Sequence, residues 1–191
     1  MTTVLTVAAL GDNDMSKWCN GWAGRNGRTV IKVPSAADLS KDGIPKAAAE
    51  LDRLIHETLA ETEGLVIVLA HSQGCQVVGE WLAKFANADP SRVRFVLTGN
   101  LERQYFGYRA RKPKWWGNGN SVRETPNNTA YEVLDIGRKG DLWANYPGGM
   151  LAMLRLPFCL PHLNYDNVDP DNLDPKHLVK AVGNTRYFTV P

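Results

Sequence analysis

Gly64-Leu65-Val66-Ile67-Val68-Leu69-Ala70-His71-Ser72-Gln73-Gly74-Cys75-Gln76-Val77-Val78-Gly79 carries two hydrophobic periods in one run, and the change between them decides the fold. Leu65 to Leu69 is unbroken apolar sequence, the pattern of a strand buried on both faces of a parallel sheet. From Val77 the apolar residues recur as Val77, Val78, Trp81, Leu82 and Phe85, which is one stripe of a helix. Between them lies Ala70-His71-Ser72-Gln73-Gly74, so a serine is expected on a sharp strand-to-helix turn above the carboxyl ends of the strands. That arrangement is a nucleophile elbow, usually written Gly-x-Ser-x-Gly. Ala70 stands at the first glycine, and its extra methyl is a small steric load. The same residues also suit an ordinary turn in which Ser72 only caps the helix.

On either side the chain continues the alternation. Val4 to Leu10 reads as a first buried strand ending at Gly11-Asp12-Asn13-Asp14, a polar turn able to present free N–H groups. Thr29 to Val33 reads as a second strand stopped by Pro34, and Pro45 opens a helix whose apolar face holds Ala47, Leu51 and Ile55. Further along, Val93 to Leu97 and Tyr131 to Ile136 supply strands, and Met150 to Leu156 a short helix. Pro175 to Val182 is expected to be a last helix capped by Asp174, and Arg186 to Val190 a last strand. This rhythm predicts an α/β fold, a central mainly parallel sheet flanked by helices, in a single domain spanning 1–191. Residues 101–129 show no period and interleave Arg103, Arg109, Arg111, Lys112, Lys114 and Arg123 with Tyr105, Phe106, Tyr108, Trp115 and Trp116. They form an inserted basic aromatic loop, readable as a surface excursion pinned by its tryptophans, as a nucleic-acid surface or as a lid over substrate.

Composition bounds the function. At 191 residues, with 43% hydrophobic and 9% aromatic side chains, the chain suits one globular domain with a sizeable core. The net charge of +2 is too mild to imply a nucleic-acid partner. Cys19, Cys75 and Cys159 show no C-x-x-C spacing, which argues against a disulfide framework and a zinc site and for free thiols in a reducing compartment. The apolar run from Val4 to Leu10 lacks a basic flank and is too short to span a bilayer. Neither a transmembrane segment nor a metal or other cofactor is expected, and the protein is expected to be cytoplasmic as synthesised. The sequence sets no oligomeric state.

A serine hydroxyl at its own pKa is a poor nucleophile, so it needs a base to take its proton and a carboxylate to fix that base's tautomer. Ser72, Asp141 and His162 supply these types, in the chain order Ser, Asp, His of the α/β-hydrolases. Asp141 closes the turn Gly137-Arg138-Lys139-Gly140-Asp141 after a strand, and His162 ends a proline-bounded loop from Pro157. His71 adjoins the serine, but neighbours on a tight turn point apart, and His177 lies in a helix pattern. Asp135 is the rival acid, although inside its strand the side chain is fixed to one face of the sheet. The oxyanion hole would use the N–H of Gln73 and one from Asp12 or Asn13. Tyr105, Trp115 and Trp116 are expected to hold substrate, with nearby cations meeting anionic head groups.

Ala70-His71-Ser72-Gln73-Gly74, Gly140-Asp141-Leu142 and Pro161-His162-Leu163-Asn164-Tyr165 are similar to the three catalytic segments of cutinase-like serine esterases. Gly99-Asn100 followed by Arg103, the segment with Asp135 and Asp141, and the terminal Thr185-Arg186-Tyr187-Phe188-Thr189-Val190-Pro191 resemble the PE-PPE hydrolase domain of mycobacterial proteins. The resemblance covers nearly the whole chain. It implies a lidless or lightly lidded α/β-hydrolase that cleaves acyl or lipid esters through an acyl-enzyme, and related phage esterases of the lysin B type attack mycobacterial envelope lipids. Cutinases carry a disulfide around the acidic loop, whereas Arg138, Lys139 and Trp143 stand there in this chain, and no secretion signal is seen. These departures point to a phage-encoded relative released on lysis, or to an intracellular actinobacterial one. A thioesterase or acyltransferase would use the same triad. A binding or structural protein, such as a phage-particle component, would keep the fold without the chemistry.

Overall fold

A computed structural model describes residues 1–8, 15–34, 42–111 and 124–191. The apolar runs become strands of one sheet: β1 (Thr3–Val7), β2 (Thr29–Lys32), β3 (Val66–His71), β4 (Val93–Thr98) and β5 (Glu132–Arg138). Two more, β6 (Leu178–Val182) and β7 (Thr185–Val190), complete the order β2-β1-β3-β4-β5-β7-β6. Every neighbouring pair is parallel except β6 with β7. Chain order reverses between β1 and β3, the switch point at which open α/β sheets form their crevice.

Strands β3 and β5 outrun their apolar sequences for a reason visible in the register. Ala70 and His71 pair with Leu97 and Thr98 of β4, and Gly137 and Arg138 pair with Thr189 and Val190 of β7. Ladder hydrogen bonds thus carry the chain as far as the turns that hold Ser72 and Asp141.

Two long helices cover one face. In α1 (Gly43–Glu61) the residues Ala47, Leu51 and Ile55 are buried, and in α2 (Gln73–Lys84) Val77, Val78 and Trp81 are buried against Val68 and Phe95. The opposite face is closed differently. Irregular helical turns at Met15–Lys17 and Trp22–Gly27, together with Tyr165 and Val168, pack on Ile67, Leu69, Val96 and Ile136. A third helix, α3 (Met150–Arg155), leads into two short 3-10 turns, Leu156–Phe158 and Leu160–Leu163. Among the described residues no helix is long and apolar enough to cross a membrane.

The expected last helix is a correction. Asp174 does cap a turn, accepting the N–H of Lys176, but that turn ends at His177 and residues 178–182 are the edge strand β6. Gly183-Asn184 then reverses the chain into β7, with Gly183 at φ 54°, a conformation that glycine adopts freely. Leu178, Val179, Ala181 and Val182 fit a helical stripe as well as a strand, and on an edge with four of its five residues exposed no alternation marks the strand.

Candidate active site

Ser72 sits between β3 and α2 with φ 53° and ψ −114°, and its side chain makes no cap hydrogen bond to the helix. The capping reading therefore does not describe it. The turn is possible because Gly74 lies against β1: a Cβ there would stand 2.1 Å from the carbonyl oxygen of Val7. Ala70, by contrast, is a fully buried strand residue whose methyl belongs to the core under the helices. That is why the motif tolerates alanine at its first position and needs glycine at its last.

The Ser72 hydroxyl donates to His162 Nε2 at 2.8 Å, and His162 Nδ1 lies 3.1 Å from both carboxylate oxygens of Asp141. Since Nδ1–H faces a carboxylate, Nε2 is left as the acceptor. Asp141 is completely buried and follows Gly140, whose φ of 86° turns the chain back from β5. Its Oδ1 accepts the N–H groups of Trp143 and Ala144, and its Oδ2 accepts the Tyr165 hydroxyl at 2.7 Å. Burial alone would raise its pKa, but the hydrogen bonds from His162, Tyr165 and Ala144 outweigh it and hold the carboxyl below its usual value. Ser72 itself is half-buried.

Asp135 has other partners. It is buried against Arg103, Nε to Oδ1 3.1 Å, and accepts from Asn100 at 2.8 Å. Desolvation pushes its carboxyl up to about 6 despite Arg103 and Asn100. Arg103, fully buried, also donates to Asn145 Oδ1 at 2.5 Å, and Asn145 in turn gives its backbone N–H to the Asp141 carbonyl. Asp135 and Arg103 thus brace the acidic loop from beneath. Cys159 ties the same loop from the other side, its Sγ 3.2 Å from the Leu142 N–H and 3.4 Å from the Gly140 carbonyl.

His71 points away from Ser72 into the wall. Its Nδ1 donates to the Thr98 carbonyl at 3.0 Å, and its ring lies 4.3 Å from that of Trp18 and 4.9 Å from that of His162. Burial first, and His162 second, depress its pKa to about 3, so it stays neutral beside the His162 ring. His177 is far along the chain at the head of β6 and makes no part of this cluster.

The other expected positions divide. Gln73 opens α2, where the first N–H groups have no intrahelical acceptor. Asp12, Asn13, Trp115 and Trp116 lie outside the described residues. Tyr105 has Phe106, Tyr187 and Lys180 as ring neighbours, with Lys180 Nζ 3.5 Å from its ring centroid at the β6–β7 edge. The roles of Tyr165, Trp18 and Thr98 in the wall were not read from the sequence. Tyr165 stood in the quoted Pro161–Tyr165 segment, but its partner is set only by where that segment folds back.

No family model matches the chain, and no curated protein matches it. Among solved structures it is similar to a cutinase-like protein from Cryptococcus sp., with 17% sequence identity over 86% of this chain and 91% of that chain and a TM-score of 0.57. At that identity the likeness speaks for the fold alone: a mostly parallel α/β sheet flanked by helices, as in that cutinase-like protein.

Proposed function

We propose that the protein is a serine hydrolase of carboxylic esters, with Ser72 as nucleophile, His162 as general base and Asp141 as the group that orients it. The observation that carries this reading is the unbroken hydrogen-bond chain from Ser72 Oγ through His162 to Asp141. A serine kept only for packing would not need an imidazole aimed at its hydroxyl. The similarity of fold to a cutinase-like protein supports it.

In this reading His162 Nε2 takes the Ser72 proton as Oγ attacks the ester carbonyl, and the resulting imidazolium is stabilised by Asp141. The oxyanion is met by the Gln73 N–H; the second donor expected at Asp12 or Asn13 falls outside the described residues. His162 then gives its proton to the departing alcohol, leaving an acyl-Ser72. Water, deprotonated by His162, releases the acid and restores the hydroxyl.

The test is a series of nitrophenyl esters of graded chain length, with Ser72→Ala as control. Turnover by the wild type and none by Ser72→Ala supports the reading. A matched thioester series separates an esterase from a thioesterase using the same residues. Absence of turnover on every ester and thioester would favour the non-catalytic, structural reading of the fold.

A further inference from the structure

The face of the sheet opposite α1 and α2 is closed by irregular chain, and over the amino-terminal ends of β4, β5 and β7 that closure leaves a hollow of about 280 Å³. Val96, Leu134 and Phe188, one from each strand, form its apolar floor, and Trp22 and Leu173 stand in its walls. Strand alternation continues the same three rows two residues back, to Arg94, Glu132 and Arg186, which line the hollow where the strands begin. Ser72 lies at the opposite, carboxyl end of β3, so this hollow is separate from the candidate active site.

Two features give the hollow a chemistry. Trp22 is 1% exposed, and its indole Nε1–H has no acceptor among the described residues. An indole nitrogen can only donate, and a buried donor without an acceptor is costly and rare in native folds. The second feature is charge. Arg94 and Arg186 share one carboxylate, that of Glu132, with Arg94 Nε 2.9 Å from Oε2 and an Arg186 guanidinium nitrogen on Oε1. Two guanidinium groups on one carboxylate leave one positive charge in excess, and their other N–H groups have no acceptor among the described residues. Both arginines are about half exposed, so water can serve those groups, and alone they would mark nothing. Beside an apolar floor and a buried indole N–H they give the site its sign. Asp171, the other acid of the lining, is held by Arg28 at 2.7 Å, and Arg28 also lies 4.4 Å over the Trp22 ring. Its charge is thereby offset. A volume of about 280 Å³ is just under the range of about 300–1,000 Å³ usual for small-molecule pockets, which suits one ring or a short branched chain and excludes a helix.

We propose that this hollow is a second binding site, for a small organic acid with an apolar body. The body lies on Val96, Leu134 and Phe188, an oxygen of the ligand accepts the Trp22 Nε1–H, and its carboxylate meets the open edges of the Arg94 and Arg186 guanidinium groups. Binding here involves no residue of the candidate triad and holds whether or not Ser72 is a nucleophile.

The experiment uses the full chain and three probes of one shape: para-acetylbenzoate, para-isopropylbenzoate, which lacks the oxygen for the indole, and para-acetylbenzamide, which lacks the charge. Calorimetry gives affinity, and a nitrogen–proton correlation spectrum reports the assigned indole signal of Trp22. The expected result is saturable binding of para-acetylbenzoate, one per chain, that moves the Trp22 indole signal. The benzamide, and the acid offered to the double variant Arg94→Gln/Arg186→Gln, are each expected to bind at least about 10-fold more weakly. The isopropyl acid should bind several-fold more weakly than the acetyl acid. The double variant should keep its thermal midpoint within a few degrees, because ion pairs this exposed contribute little to stability, and the benzamide comparison tests the charge without any substitution. No saturation up to about 10 mM acid overturns the proposal, as that is weaker than a built site gives. So does binding that leaves the Trp22 signal in place, that the double variant matches, or that is equal for the acetyl and isopropyl acids.

Discussion

Asp141 and Asp135 are both buried carboxylates near the end of β5, and their neighbours separate them. Asp141 faces an imidazole, so Asp141→Asn is expected to keep the fold, favour the wrong His162 tautomer and lower kcat by about 10⁴. Asp135 faces a guanidinium with no access to water, so Asp135→Asn leaves Arg103 uncompensated and is expected to cost about 3–5 kcal/mol of stability. The folded fraction of that variant should retain most of its kcat. Denaturant unfolding and steady-state kinetics on both variants check the pair, and the reverse pattern would move the acid to Asp135. His71 adds a pH dependence. Its folded-state pKa of about 3 lies below its unfolded value near 6.5, so its contribution is full above pH 6.5 and is lost as pH falls toward 3. Asp135, raised to about 6, works oppositely: its contribution is full below about 3.8 and is lost as pH rises through 6. The two partly offset in the wild type. The stability difference between wild type and His71→Asn isolates the histidine and should shrink by about 1.4 kcal/mol per pH unit from pH 6 to 4. A difference independent of pH would mean that His71 is not buried neutral.

The elbow joins β1, β3 and α2, and Gly74 is where they meet. Gly74→Ala would place a Cβ 2.1 Å from the Val7 carbonyl oxygen, a backbone atom that moves only if β1 moves. It is expected to cost at least about 1–3 kcal/mol and to lower activity with it, since Ser72 and Gln73 ride on the same turn. Ala70→Gly should leave activity intact. Thermal unfolding and ester turnover on the two variants check the asymmetry. Elements of this kind were legible in the sequence because the signal is local: an apolar run, a breaker, a helical stripe. The β6–β7 hairpin was not, since an exposed edge strand has no buried face to impose a period of two and Gly183-Asn184 was the only turn signal. The brace beneath Asp141 was not legible either, because Arg103 and Asn145 meet only after β4 and β5 pair.

Across the molecule, β3 and β5 end on the same edge of the sheet, and the loop after α3 brings back His162, 90 residues beyond Ser72 in the chain. The order Ser, Asp, His could be read from sequence because parallel strands deliver their following loops to one edge. The wall of Trp18, Thr98 and Tyr165 could not, being set by packing between distant segments. Packing also governs the thiols. Cys19, Cys75 and Cys159 are free and buried, and burial first raises Cys19 to about 12 and Cys75 well above its usual value. Ellman titration should find about no reactive thiol in the native protein and all three after denaturation without reductant; fewer than three would indicate a bridge. The central claim is that Ser72 is activated by His162, and covalent labelling with a fluorophosphonate, read by peptide mass spectrometry, tests it most directly. The account predicts one adduct per chain, on Ser72, with labelling slowed at least about 10³-fold in folded His162→Ala. An unlabelled wild type, or labelling at the same rate without the His162 imidazole, would contradict it.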